Sequence, residues 1–199
     1  AARIRDSRID GRDAALATEL AAGTLRGQGR YDRIIELASG RDLDKVDART
    51  LRVLRLGAHQ LLSMRTAAHA AVNESVELQR KVSNPAGAGF VNGVLRTIGR
   101  ASNEEWNTRI DEEASSADAA LAARTSHPAW IVRALRDALR FEGREGELEE
   151  LLAADNVPPK VNLVLLPGAG IDAETAAVLG SDPERDHELT ASGISPIGL

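Results

Sequence analysis

Apolar residues recur at intervals of three and four along the first hundred positions, which is the spacing of one buried face of an α-helix. Asp, Asn, Gly and Pro interrupt this pattern where helices usually begin and end. The pattern predicts five amphipathic helices with short joints, which is typical of a compact all-α bundle. We expect these helices to begin near Asp10, Tyr31, Asp47, Ala68 and Asn84.

The third predicted helix separates two kinds of side chain most clearly. Its apolar positions, which we expect to be buried, are Leu51, Leu54, Ala58, Leu61 and Leu62. Its other side carries basic residues at helical spacing, namely Arg49, Arg52, Arg55 and His59. This helix is therefore predicted to have a packed face and a cationic face.

The pattern becomes weaker and more acidic after the first hundred residues. Residues 103–116 predict a helix with a loose end. His127-Pro128 starts another helix, and a short acidic helix around Leu148 ends before the prolines at 158–159. The predicted apolar positions after Pro128 are Trp130, Ile131, Ala134, Leu135 and Ala138.

Strand signals first occur in the last fifth of the chain, at residues 161–166 and 193–199. We therefore divide the chain into three regions. Residues 1–100 form the helical domain, residues 101–157 form a helical linker, and residues 158–199 form the start of a small α+β unit.

Charge is distributed unevenly along the chain. Residues 1–100 carry 17 Lys and Arg against 11 Asp and Glu, a net charge of +6. Residues 101–199 carry 8 against 19, a net charge of −11. A basic half next to an acidic half predicts that the first half alone meets a polyanion.

Residues that the sequence lacks exclude several classes of protein. There is no cysteine, which excludes disulfides, cysteine zinc ligands and a cysteine nucleophile. No apolar run approaches the roughly 18 residues of a membrane span. His59 and His69 lack metal-ligand spacing to another ligand. We therefore expect a cytoplasmic protein with no membrane contact and no metal.

The candidate nucleic-acid contacts are arginines that lie away from the apolar stripes. Several arginines on one surface would bind phosphates with salt-sensitive affinity. The alternative is that they are ordinary solvated arginines, some of them paired with Asp32, Asp44 or Glu36. The seven candidates are Arg12, Arg26, Arg30, Arg52, Arg55, Arg96 and Arg100.

Three other polar residues allow two interpretations. Tyr31 is either a platform for a base or, as we favour, a core or rim residue. Asn73 and Asn92 lie in the middle of predicted helices. They either contact RNA or a partner or, as we favour, tie neighbouring helices or loops together through their amides.

Four segments of the first half resemble the NusB-like domain of the RsmB (Sun/Fmu) family of ribosomal RNA methyltransferases. Residues 12–26, which end in GTLR, resemble its second helix, and LRLGAHQLL at 54–62 is similar to a stretch that usually has Tyr where His59 stands. AHAAVNESVE at 68–77 and FVNGVLR at 90–96 match its two most recognisable segments. The four segments occur in the order that they have in the family.

Two later segments resemble the linker of the same family. They are SHPAWIV at 126–132 and NVPP at 156–159. Stand-alone NusB transcription antitermination factors share the helical fold but end soon after the Phe-Val-Asn helix. The resemblance therefore implies an all-α NusB-like bundle, then a helical linker, then the start of a small α+β unit.

The resemblance implies the RNA-binding, substrate-recognition region of a small-subunit ribosomal RNA (cytosine-C5)-methyltransferase. Its partners would be ribosomal RNA and the protein's own C-terminal methyltransferase domain. The family's first helix, its methyl-donor loop and its two functional cysteines have no match in this sequence. We therefore expect S-adenosylmethionine to be the cofactor of the full-length enzyme, no cofactor in this chain, and no turnover by this chain alone.

Two alternatives from other classes stay open. One is a NusB-type transcription antitermination factor. The other is a protein-interaction module that packs on the catalytic domain and never touches RNA.

Overall fold

The computed structural model describes residue 9, residues 11–64 and 66–158, and the backbone of residues 188–190 and 193–195. The five predicted helices of the first half are confirmed, and the second begins three residues earlier than predicted. Their bounds are α1 (Gly11–Arg26), α2 (Gln28–Ser39), α3 (Ala48–Leu62), α4 (Ala68–Val82) and α5 (Ala88–Ile98).

Four more helices follow among the described residues. Their bounds are α6 (Asn103–Glu112), α7 (Ala117–Thr125), α8 (Ala129–Phe141) and α9 (Leu148–Asp155). The sequence predicted α6, α8 and α9 but not α7. Short 3-10 helices occur at Leu43–Lys45, Pro85–Gly87 and Glu145–Glu147.

The chain divides into two compact units, Ala1–Val157 and Pro158–Leu199. In the second unit, β1 (Glu188–Thr190) and β2 (Gly193–Ser195) pair antiparallel, with Leu189 opposite Ile194. The predicted strand at 193–199 is thus confirmed for its first three residues. The predicted strand at 161–166 and the predicted helix start at Asp10 lie outside the described residues.

Side-chain caps explain where several helices begin. An oxygen of Asp47 accepts hydrogen bonds from the backbone N–H groups of Arg49 and Thr50 and from the hydroxyl of Ser83. These donors lower the pKa of Asp47, the backbone bond from Thr50 most of all. Asp47 therefore starts α3 and also ties it to the end of α4.

The core of the bundle forms where α4 and α5 pack against α3. A Cβ on Gly57 of α3 would lie 2.6 Å from Leu95 Cδ1 and 2.8 Å from Ser75 Oγ, so only glycine allows this approach. Ile34 and Ile35 of α2 are fully buried in the same core. The first half therefore folds around one continuous apolar interior.

The first helix beyond residue 100 also belongs to this interior. Trp106 and Ile110 of α6 are fully buried, and Trp106 Nε1 donates a hydrogen bond to the carbonyl of Ile98 at 3.1 Å. Ser102 and Glu105 form a reciprocal capping box at the start of α6. The helix is thus anchored in the core, and it ends at Glu112, so the predicted loose end corresponds to the non-helical residues 113–116.

Only some of the apolar positions named for α8 are buried. Val132 and Leu139 are its buried residues, and Leu135 packs beside them. Trp130 is 63% exposed, Phe141 is 94% exposed, and two alanines between them are also exposed. Of the positions named as apolar, Trp130, Ala134 and Ala138 therefore face outward and do not belong to the core of the described residues. We call this outward face the α8 stripe, and it consists of Trp130, Ala134, Ala138 and Phe141.

The two tryptophans provide a matched test of this packing. We expect Trp106→Ala to lower the free energy of unfolding by about 3–5 kcal/mol, because it empties a core position and removes a buried hydrogen bond. Trp130→Ala should change it by no more than about 0.5 kcal/mol, because its side chain is exposed. Urea unfolding followed by circular dichroism measures both values. An equal decrease in the free energy of unfolding for the two variants would contradict the assignment of α6 to the core.

Candidate nucleic-acid interface

A cleft of about 340 Å³ opens where α4 and α5 lie side by side near the end of α3. We call it the α4–α5 cleft. Its walls come from three helices and from the residues that follow α5. Its lining residues are Leu61, Ala68, His69, Val72, Asn73, Leu95, Arg96, Gly99 and Arg100.

The α5 side of the cleft is cationic. Arg96 and Arg100 are exposed and lie one helical turn apart. Arg96 Nε donates a hydrogen bond to Asn92 Oδ1 at 3.0 Å, so its terminal NH₂ groups remain available. Within the described part of the chain, neither guanidinium forms an ion pair. Two of the seven predicted arginines are therefore brought together and left free.

The α4 side of the cleft carries polar side chains. His69 and Asn73 are both exposed and also lie one turn apart. No described residue forms a hydrogen bond with the Asn73 amide. The preferred interpretation, that Asn73 ties helices together, is therefore wrong, and Asn92 holds only Arg96 of its own helix.

Arg55, another predicted contact, is committed to an internal ion pair. Its Nε and Nη2 atoms lie 2.6 and 2.7 Å from the two carboxylate oxygens of Asp32. Both side chains are 20% exposed. This bidentate pair joins α3 to α2. The alternative that some arginines pair with Asp32 or Glu36 is thus confirmed, and the second case is Arg33 with Glu36 at 3.3 Å.

Arg30 is also engaged in hydrogen bonds within the protein. Its Nη2 atom donates to the side-chain oxygens of Asn103 at 3.0 Å and Asn107 at 3.1 Å, and its backbone N–H donates to Ser126 Oγ at 3.0 Å. Burial lowers the pKa of its guanidinium, while Tyr31 and Glu104 raise it. Arg30 therefore joins α2 to the helices that follow residue 100.

The three remaining candidates occupy separate positions. Arg12 is exposed on α1, Arg26 is half-buried at the end of α1, and Arg52 is exposed on α3. None of them forms an ion pair with another described residue. Whether any of the seven arginines contacts RNA stays a prediction.

His59 does not share the cationic face on which the sequence placed it. It is 3% exposed, and its Nδ1 atom lies 2.8 Å from the Tyr31 hydroxyl, which also lies 2.8 Å from Ser63 Oγ. Its Nε2 atom lies 3.6 Å from Glu19 Oε1. Tyr31 is likewise 3% exposed, so its interpretation as a core residue is confirmed.

Burial lowers the pKa of His59 below its ordinary value of 6.5, and the charge of Arg26 lowers it further, while Glu19 raises it. Burial also raises the pKa of Tyr31. Both side chains are therefore neutral partners in the folded protein at neutral pH. The Tyr31–His59 pair joins α2 to α3.

The described residues do not bring together three His, Cys, Asp or Glu side chains that could hold a metal ion. Within the same residues, no helix combines the length and the apolar character needed to cross a bilayer.

The sequence missed the cleft because its members come from different helices. Leu61 was predicted to be a buried position of its helix, so nothing indicated that it reaches a surface opening. One signal was present. Two pairs of polar residues have the same spacing of four positions. One pair, His69 and Asn73, lies in the segment 68–77, and the other, Arg96 and Arg100, lies at the end of the segment 90–96 and just beyond it.

We expect a measurable coupling between Arg55 and Asp32. A double-mutant cycle with Arg55→Ala and Asp32→Ala should give an interaction energy of about 1–3 kcal/mol, because each single change leaves a half-buried charge without its partner. Urea unfolding of the four proteins measures it. Arg52→Ala is the control and should cost at most about 0.5 kcal/mol. An interaction energy near zero would contradict the ion pair and would mean that Arg55 behaves as a free surface arginine.

We expect the stability of the protein to depend on pH through His59. The folded state binds fewer protons than the unfolded state between the lowered pKa and 6.5. The free energy of unfolding should therefore fall as the pH drops below about 6.5. Urea unfolding at several pH values should show that the free energy of unfolding decreases less at low pH in His59→Gln than in the wild type. An equal decrease in the His59→Gln variant and in the wild type would refute the role of burial.

Comparison with known proteins identifies the family. The family model described as the NusB family matches residues 1–100, which is half of the chain. A provisionally named methyltransferase of Mycobacterium tuberculosis strain H37Rv is 43% identical over 175 residues, which are 87% of this chain and 38% of that protein.

Two further relatives carry a more specific name. Ribosomal RNA small subunit methyltransferase B of Pseudomonas putida is 33% identical over 179 residues, which are 83% of this chain and 38% of that protein. The protein of the same name from Vibrio cholerae is 37% identical over 128 residues, which are 64% of this chain and 27% of that protein. The chain thus spans well under half the length of these relatives. It belongs to the NusB family, and its relatives are methyltransferases, among them ribosomal RNA small subunit methyltransferase B.

Proposed function

We propose that this chain is the RNA-binding, substrate-recognition region of a small-subunit ribosomal RNA (cytosine-C5)-methyltransferase of the cytoplasm. The observation that carries the proposal is the pair of free guanidinium groups at the α4–α5 cleft, on a NusB-family bundle. Free arginines at the mouth of a cleft are a strong phosphate-binding arrangement, because neither charge is already neutralised by a carboxylate.

The length of the alignments favours this function over a transcription antitermination factor. The family model ends at residue 100, but the alignments to the methyltransferases of M. tuberculosis and P. putida extend over 175 and 179 residues. Helices α6 to α9 and the unit from residue 158 onward would be superfluous in a NusB protein that ends with its bundle. They are expected in a methyltransferase.

The chemical step is proposed to lie outside these 199 residues. Cytosine C5 methylation in the family that the chain resembles requires a thiolate, and this sequence has no cysteine. Nor does it contain the family's methyl-donor loop. We therefore assign S-adenosylmethionine to the full-length enzyme and propose no contact between it and the described residues. The contribution of this chain is to bind and orient the RNA.

The seven predicted arginines differ in what they can offer to RNA. Arg96 and Arg100 are the strongest candidates, because they are exposed, adjacent and without an ion-pair partner among the described residues. Arg12, Arg26 and Arg52 likewise form no ion pair with a described residue but lie apart, and we propose them as further contacts with the RNA backbone. Arg30 and Arg55 act mainly by joining helices, so their loss would disturb the surface indirectly.

One observation favours a protein contact as a second candidate function. The α8 stripe exposes Trp130 and Phe141, and large aromatic side chains on one exposed face are typical of protein interfaces. We propose the methyltransferase domain of the full-length protein as its occupant. This role is compatible with RNA binding at the α4–α5 cleft, and it becomes the main function only if the chain does not recognise RNA.

Filter binding with a fragment of small-subunit ribosomal RNA tests the first proposal. We expect Arg96→Gln with Arg100→Gln to weaken binding. The slope of the logarithm of affinity against the logarithm of salt concentration should fall by about 1.4–1.8, because two phosphate contacts are lost. The matched control is Arg133→Gln with Arg140→Gln on α8, which changes the net charge equally.

The control should keep most of the wild-type affinity and its salt slope. If both double variants behave alike, the binding reflects overall charge and the cleft has no part in it. If RNA affinity and salt slope are unchanged in the Arg96 and Arg100 variant, the protein-interaction role is favoured instead.

A further inference from the structure

We infer that the α4–α5 cleft binds one unpaired nucleotide of the RNA, with its base inside the cleft and its flanking phosphates on Arg96 and Arg100. This inference rests on the proposed RNA-binding function and makes it more specific. It concerns the form of the RNA, a single-stranded or bulged position, and it assigns separate roles to the two sides of the cleft.

The size of the cleft suits one nucleotide. Its volume of about 340 Å³ lies at the lower end of the range of roughly 300–1,000 Å³ for small-molecule sites. A double helix cannot enter such a space, whereas a base that has left its stack can. Recognition of single bases in loops and bulges is the usual way in which proteins read RNA sequence.

The floor of the cleft is apolar. Leu61 is half-buried, and Val72, which is 6% exposed, belongs to the same core as the fully buried Leu95. Leu61 and the exposed edge of Val72 offer a non-polar surface to one face of a planar ring. Burying a base there removes apolar surface of both partners from water.

The α4 rim carries groups that recognise a base. The exposed imidazole of His69 can stack on the second face of the ring, as aromatic side chains do in single-strand sites. The Asn73 amide, one turn later, offers both a donor and an acceptor to the edge of the base. Among the described residues nothing else uses that amide, so binding a base would not break an internal bond.

The α5 rim carries groups that recognise phosphate. Arg96 and Arg100 stand one turn apart, and Asn92 fixes the first of them through its Nε atom. Helix α4 begins at the cleft with Ala68 and has no side-chain cap, so its first amides add partial positive charge. An anion next to a planar polar ring is the chemistry of a nucleotide. An acidic peptide would use the cations but neither the apolar floor nor a base-reading amide.

Fluorescence anisotropy of the 199-residue chain with two labelled RNAs tests the inference. One is a 12-nucleotide single strand, and the other is the same strand in a blunt duplex with its complement. We expect the single strand to bind at least about tenfold more tightly than the duplex at equal salt. A labelled 12-residue poly-glutamate peptide serves as the third probe and should bind more weakly than both.

The α4 variants His69→Ala and Asn73→Ala should weaken single-strand binding by roughly 5- to 100-fold, the range for loss of a base contact. They should leave duplex binding and the salt slope unchanged, since no phosphate contact is removed. Thr108→Ala, an exposed uncharged residue of α6 outside the cleft, is the matched control. Thermal unfolding of each variant verifies that the fold is intact.

The outcomes separate the two proposals. If the wild type binds neither RNA, the proposed function fails and this inference with it. If single strand and duplex bind equally, or His69→Ala and Asn73→Ala have no effect while Arg96→Gln and Arg100→Gln weaken binding, the chain binds RNA but the cleft does not take a base. Tight binding of poly-glutamate with the same dependence on the cleft variants would assign the cleft to an acidic peptide instead.

Discussion

The close approach of α4 and α5 to α3 at Gly57 is the constraint on which the candidate site depends. A Cβ at this position would collide with the side chains of Leu95 and Ser75, so these side chains or the helices that carry them would have to shift. Leu61, one turn beyond Gly57, reaches the floor of the α4–α5 cleft beside Leu95. The same contact that closes the core therefore fixes the width of the cleft and the distance between its two rims.

Buried polar pairs hold the rest of the bundle around this contact. Tyr31 with His59 and Asp32 with Arg55 both join α2 to α3, and Arg30 joins α2 to the later helices through two asparagines. Such pairs specify register, because a shifted helix would leave a buried polar group without its partner. Some arginines of the first half thus join helices. Only the exposed arginines that have no ion-pair partner among the described residues remain available to bind a ligand.

The uneven distribution of charge along the sequence agrees with the distribution of ion pairs among the described residues. Beyond residue 116, four arginines have carboxylate partners: Arg124 pairs with Asp111 and Glu149, Arg136 with Asp118, Arg140 with Glu145, and Arg144 with Glu147. Acidic residues therefore neutralise four of the six described arginines beyond residue 100. Arg96 and Arg100 have no such neighbours in ion-pair distance among the described residues, which leaves positive charge at the cleft.

The sequence by itself determined the helices of the first half, their caps at Asp47 and Asn84, and the membership of a family, because these depend on periodicity, local hydrogen bonds and short motifs. It placed Arg96 and Asn73 correctly on helices, and Arg100 just beyond one, but it could not bring them together. Only the tertiary structure decided that Trp106 enters the core, that His59 is buried, that Trp130 faces outward, and that Arg55 is paired while Arg96 is free. The physical reason is that burial and pairing depend on which helix lies opposite, and helical periodicity carries no information about the neighbour.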